Sequence, residues 1–200
     1  MSSTDFLIVT VYCIIVSYVF YLANKSLDDQ VRIEPDYKFI NGELEKYDLN
    51  GLVDIKFKFR PSYRLLDLTK LPISIQNTSQ DQTIRVEWDE CAITDFDNIT
   101  GRVIKLAPGM TDIPQKQAVS IIVPGRILQE ELSDDKALTG GLFKAEKLKR
   151  ATEKPSPFYL RLLLKITSPT SGDRSCPLRC KFLPKKLGWA KAYSIALKPR

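Results

Sequence analysis

Leu52-Val53-Asp54-Ile55-Lys56-Phe57-Lys58-Phe59-Arg60 alternates apolar and charged side chains with a period of two. In an extended chain that period puts Val53, Ile55, Phe57 and Phe59 on one face and Asp54, Lys56, Lys58 and Arg60 on the other. A strand with one buried and one wetted face is the usual unit of an antiparallel sheet. Leu71–Gln76 repeats the pattern with Leu71, Ile73 and Ile75, and Thr83–Trp88 repeats it with Ile84, Val86 and Trp88. The turn-rich Asn77-Thr78-Ser79-Gln80-Asp81 separates these two runs, which therefore read as a hairpin with a longer loop. Shorter or longer strands are expected over Cys91–Ile93, Arg102–Leu106, Ala118–Val123, Phe158–Ile166, Arg179–Leu183 and Trp189–Leu197, the last with Trp189, Tyr193, Ile195 and Leu197 as core positions. Turns at Asp95-Phe96-Asp97-Asn98, Pro108-Gly109 and Pro124-Gly125 punctuate them. The one helical candidate in this region is Leu142–Thr152, so no long helices are on hand to serve as crossovers between parallel strands. The pattern predicts a mainly β fold, an antiparallel immunoglobulin-like β-sandwich with one short basic helix.

The N-terminus has a different character. Phe6–Ala23, FLIVTVYCIIVSYVFYLA, carries no charge and is bounded by Asp5 and Lys25. At about 1.5 Å per residue it spans roughly 27 Å, which matches a bilayer core. Tyr18 and Tyr21 fall near one end, where interfacial aromatics belong. MSSTD has no basic residue and no A-x-A site follows, so a retained anchor is expected in place of a cleaved signal peptide. Lys25, Arg32 and Lys38 follow the apolar run and no Lys or Arg precedes it; the positive-inside rule therefore favours the soluble part on the cytoplasmic face of a single-pass membrane protein. The expected organisation is an anchor over 1–24, a charged stalk over 25–50 with one short strand at Tyr37–Ile40, and a soluble domain over 51–200. Asn24-Lys25-Ser26, Asn77-Thr78-Ser79 and Asn98-Ile99-Thr100 are glycosylation triplets, meaningful only on a eukaryotic secretory route.

The stretch from Leu71 to Leu132 runs LPISIQNTS, IRVEWDECAITD, GRVIKLAPGM and VSIIVPGRIL. With its polar N-x-[ST] turn, its W-x-E strand end and its final strand closed by Pro-Gly, it resembles the extracytoplasmic immunoglobulin-like β-sandwich domains of membrane-anchored bacterial envelope proteins. The resemblance implies a sandwich and an outward-facing domain, against the charge rule above. It implies no catalytic residues.

Charge is divided along the chain. The net charge of +6 is the sum of −6 over residues 1–140 (15 Lys+Arg, 21 Asp+Glu) and +12 over 141–200 (15 Lys+Arg, 3 Asp+Glu). Lys144, Lys147, Lys149, Arg150 and Lys154 form one basic group, and Arg174, Arg179, Lys181, Lys185 and Lys186 a second. Such a surface suits anionic lipid headgroups or an acidic protein partner; alternatively the two charge halves pair with each other. Nucleic acid is not expected, since neither an aromatic-interleaved signature nor a recognition helix is present.

The chain has no histidine, which removes Ser-His and Cys-His nucleophile pairs and the commonest metal ligand. Asp89-Glu90, Glu130-Glu131 and Asp134-Asp135, with Asp95 and Asp97, lack calcium-loop spacing and read as solvated turns. Gly140-Gly141 lacks the spacing and lysine of a phosphate loop. No cofactor or metal site is expected. Of four cysteines, Cys13 lies in the apolar run and Cys91 in a strand; Cys176 and Cys180 form a C-x3-C pair that leaves open a small disulfide loop, two reduced core fillers or a reactive dithiol. The expected function is that of a membrane-tethered, non-enzymatic interaction or assembly protein, the alternative being a thiol-based redox factor.

Overall fold

The structure is a computed structural model and describes residues 3–28, 30–106, 115–135, 141–168 and 172–188. Its first element, α1 (Ser3–Asp28), is 26 residues long. Within it Asp5–Leu22 is long and apolar enough to cross a membrane, and none of that stretch is buried against the rest of the chain. Thr10, a polar residue within the run, donates its hydroxyl back to the Phe6 carbonyl at 2.8 Å.

The remainder is mainly β. The strands are β1 (Gln30–Pro35), β2 (Val53–Phe57), β3 (Tyr63–Arg64), β4 (Leu71–Asn77), β5 (Thr83–Val86), β6 (Ala92–Thr94), β7 (Thr100–Leu106), β8 (Ser120–Ile122), β9 (Ile127–Asp134), β10 (Phe158–Ser168) and β11 (Gly172–Lys186). Between them lie α2 (Tyr37–Lys46), a 3-10 turn at Trp88–Glu90 and α3 (Ala145–Glu153). Every strand pair is antiparallel. The order is β2-β4-β9-β7-β6-β10-β11-β1-β3, with β5 on β10 and β8 on β5. Because β7 pairs with both β6 and β9, the sheet is continuous and curls into a half-barrel.

The curl brings its two ends together over one core. Val53, Ile55 and Phe57 of β2 alternate inward as their period requires, and so do Phe158, Leu160, Leu162, Leu164 and Ile166 of β10. Across the core the Phe57 ring meets Phe182 of β11 edge-on at 4.8 Å, and Phe182 in turn stacks on Phe158 at 4.9 Å. Trp88 is buried with its indole nitrogen donating to the Ser120 hydroxyl at 2.8 Å, so its polar edge is satisfied inside the core.

Four expectations are corrected. Leu71–Gln76 and Thr83–Trp88 are not a hairpin: β4 pairs with β2 and β9, whereas β5 pairs with β10 and β8. The turn between them carries the chain from one half of the curl to the other. Residues 25–50 are not simply a stalk, since β1 pairs with β11 and β3 and buries Val31 and Ile33. Tyr37–Ile40 opens a helix and not a strand: Asp36 caps it by accepting from the Phe39 amide at 3.1 Å, and Ile40 and Leu44, four apart, turn into the core. Glu130-Glu131 is no turn but the middle of β9, where Glu131 faces Lys70 at 2.7 Å and Glu130 faces Lys105 at 3.5 Å. The expected strand Trp189–Leu197, the Pro108-Gly109 break and Gly140 lie outside the described residues.

Candidate docking surface

Helix α3 is built from good helix formers, with Glu146 in its first turn and Arg150 in its last, each favourable to the helix dipole. Leu148 and Ala151, three apart, enter the core and fix which face turns outward. Lys144, Lys149, Arg150 and Lys154 are then exposed, and none of them is in an ion pair among the described residues. Arg150 and Lys154 line an open cleft of about 280 Å³ together with Phe96, Asp97, Lys147 and Ser156.

Lys147 leaves this group. Its ammonium bridges Asp95 at 2.8 Å and Asp97 at 2.7 Å in the turn between β6 and β7. The turn is pre-shaped for it: Asp95 Oδ1 accepts from the amides of Asp97 at 2.9 Å and Ile99 at 2.8 Å, and Asn98 takes the left-handed conformation with φ 60°. Burial alone would push the Asp95 carboxyl upward. The Lys147 ammonium and the two amides outweigh it and hold the group below the usual carboxylate range.

The second predicted group is spread along β11. Lys181 reaches Asp36 at 3.2 Å and sits over the Phe39 ring at 5.7 Å. The Asp36 carboxyl is held low by the Phe39 amide first and Lys181 second. Lys185 contacts Glu34 at 2.7 Å, and Arg32 shares that carboxylate at 3.3 Å. Arg174 donates to the Asp48 carbonyl at 3.5 Å. Arg179 lies 4.5 Å over the Tyr159 ring. Lys186 is exposed opposite Val31 of β1. With Lys165 on Glu87 at 3.1 Å, four lysines of the basic third are bound by carboxylates from the acidic part, so the charge division is partly internal pairing.

Sequence reasoning missed Arg161. It is exposed on β10 directly opposite Arg179, without an ion-pair partner among the described residues. Like charges opposed across strands are unfavourable; stacking of Arg179 on Tyr159 offsets part of that. The period-two alternation of Phe158–Ile166 does place Arg161 on the wet face, and that was the available signal.

Cys176 and Cys180 do not meet. Both point inward from one continuous strand and are buried as free thiols. Four residues of strand separate their Cα atoms by about 13 Å, well beyond the ~7 Å a disulfide can bridge. Burial pushes both thiols upward in pKa, and Cys91 likewise to about 11, away from the thiolate form that reacts. Among the described residues no three His, Cys, Asp or Glu side chains converge as metal ligands.

No protein-family model matches the chain. No curated protein matches its sequence significantly. Among solved structures, the putative ApaA protein from Bordetella pertussis aligns at 8% identity and a TM-score of 0.31, covering 76% of this chain and 91% of its own. A second structural-genomics target aligns at 12% identity and 0.29, covering 76% of this chain and 84% of its own. Likenesses this slight carry no argument about the present chain.

Proposed function

We propose that this chain is a single-pass, membrane-tethered interaction protein that binds an acidic partner through the outer face of α3 and does no chemistry of its own. The observation that carries it is the set Lys144, Lys149, Arg150 and Lys154: four exposed cations on and at the two ends of one short helix, left over after neighbouring lysines have found carboxylates. Lys149 and Arg150 lie within the nine-residue helix and Lys144 and Lys154 cap its ends; this surplus of like charge opposes folding slightly, and a complementary anionic surface relieves it. The tether is supported by the exposed apolar window of α1. For the finer architecture we retain the immunoglobulin-like sandwich of membrane-anchored envelope domains, supported by the way β2 and β11 face each other across one core. A cytoplasmic position for the domain remains the proposal, on the basic residues that follow α1.

Replacement of Lys144, Lys149, Arg150 and Lys154 together by glutamine is expected to leave stability within about 1 kcal/mol, since none is buried or in an ion pair among the described residues. The same variant is expected to weaken binding of the acidic partner about tenfold or more, with the residual binding less sensitive to salt. Quantitative co-purification from solubilised membranes at low and high salt measures it. Equal recovery by both proteins at both salt concentrations would sink the proposal. Lys147 is left out, because its removal would strand Asp95 and Asp97 and confuse folding with binding.

A further inference from the structure

The corner of the domain next to α1 carries a second basic surface, one outside the C-terminal third. The apolar window ends at Leu22, and α1 continues to Asp28. Those six residues rise about 9 Å, and the two steps to Gln30 add at most about 7 Å. The headgroup layer of one leaflet is about 5–7 Å thick. A domain tethered in this way therefore begins within about 10 Å of the headgroups, roughly one Debye length at physiological salt.

Gln30 is paired with Arg64 of β3, so β3 ends at that same level. The turn after β3 then does something unusual. Leu65 and Leu68 are buried, yet Leu66 between them is 70% exposed, more than any other large apolar residue recorded for the described part of the chain, including those of α1. Around it Lys58, Arg60 and Arg64 are exposed and in no ion pair among the described residues. Lys70 is exposed as well and touches Glu131. Lys58, Arg60, Leu66, Lys70, Asp67 and Glu131 all border one open cleft. Asp67 and Glu131 are the acids of that cleft, against three cations there and Arg64 beside it.

We infer that this corner is a lipid-docking surface: Leu66 enters the interface of the bilayer that α1 crosses while Lys58, Arg60, Arg64 and Lys70 rest on anionic headgroups, which fixes the tilt of the domain. The inference rests on the tether reading above. An apolar side chain ringed by cations is the composition of surfaces that lie in a membrane interface. The covalent link supplies the high local concentration that so small a patch would otherwise lack.

The test uses the full chain in a Cys13→Ser, Leu66→Cys background, spin-labelled at position 66 and reconstituted into vesicles of phosphatidylcholine alone or with added phosphatidylserine. Cys91, Cys176 and Cys180 are buried and escape the label. With phosphatidylserine the label is expected to gain contact with dissolved oxygen and to lose contact with a water-soluble nickel chelate severalfold. Adding Arg60→Glu and Arg64→Glu should abolish that change. Equal chelate access in both kinds of vesicle overturns the docking inference alone, provided the chain floats with neutral vesicles. Failure to float with neutral vesicles overturns the tether itself and the docking with it.

Discussion

Phe158→Ala lowers the unfolding free energy by about 3–5 kcal/mol, the cost of emptying a buried aromatic site in a core that relaxes only in part. Phe158 is fully buried at the junction of three elements. Its ring meets Phe143, just before α3, at 4.8 Å, Phe96 of the β6–β7 turn at 5.8 Å and Phe182 of β11 at 4.9 Å. Phe182 extends the cluster to Phe57 at 4.8 Å and Phe59 at 5.7 Å. Removing Phe158 therefore breaks the link between the α3 side of the core and the end of the curl where β2 and β11 meet. Domains of this size hold about 5–15 kcal/mol in total, so the variant sits near the threshold of folding. A urea titration measures the loss as a lower midpoint at unchanged slope. A midpoint within experimental error of the parent would show that the aromatic cluster is not the centre of the core.

Asn77→Ala costs about 3 kcal/mol, a large effect for removing one exposed-looking polar residue from a turn. Asn77 is completely buried. Its amide nitrogen donates to the carbonyls of Gln82 at 2.7 Å and Ile122 at 2.9 Å, and its oxygen accepts from the Ser79 amide at 3.0 Å and hydroxyl at 2.6 Å. Its backbone also binds Arg126 and Gly125, at 2.9 Å and 3.0 Å. One side chain thus ties the end of β4 to β5 and β8 where the chain crosses between the halves of the curl. Alanine leaves the Ile122 carbonyl and the Ser79 amide inside without that partner, at about 1–3 kcal/mol for each orphaned group. Amide exchange should quicken first in β8, and an exchange pattern unchanged there would refute the assignment. Both amide hydrogens of Asn77 are used within the fold, so the glycosylation triplet Asn77-Thr78-Ser79 is a structural turn.

How far the fold was legible depended on how cleanly each strand alternated. Val53–Phe57, Leu71–Ile75 and Phe158–Ile166 carry uninterrupted inward apolar positions and were readable within a residue or two. Strand β9 was hidden because Glu130 and Glu131 interrupt any apolar alternation and pair with Lys105 and Lys70, contacts that need the neighbouring strands to be known. Strand β1 and helix α2 were hidden by their charge, since Arg32, Glu34 and Asp36 find partners on β1 and β11. Pairing order was beyond local reading altogether: Asn77 looks like a hairpin turn until the Ile122 carbonyl is placed against it. At the docking surface the sequence located the cations, but only the acids folded beside them separated Lys147, Lys181 and Lys185 from the four that remain on α3 and at its ends. The Cys176/Cys180 spacing kept three readings open because it did not reveal whether the chain bends between them; one straight strand keeps the two apart.

Both proposed surfaces depend on the tether, which alkaline carbonate extraction of membranes from cells making the full chain tests. A helix with an uncharged window from Phe6 to Leu22 crossing the bilayer should keep the protein in the membrane pellet at high pH and in high salt. Release of the intact chain into the supernatant would contradict the account, because neither the α3 surface nor the Leu66 corner could then be held where it is proposed to act.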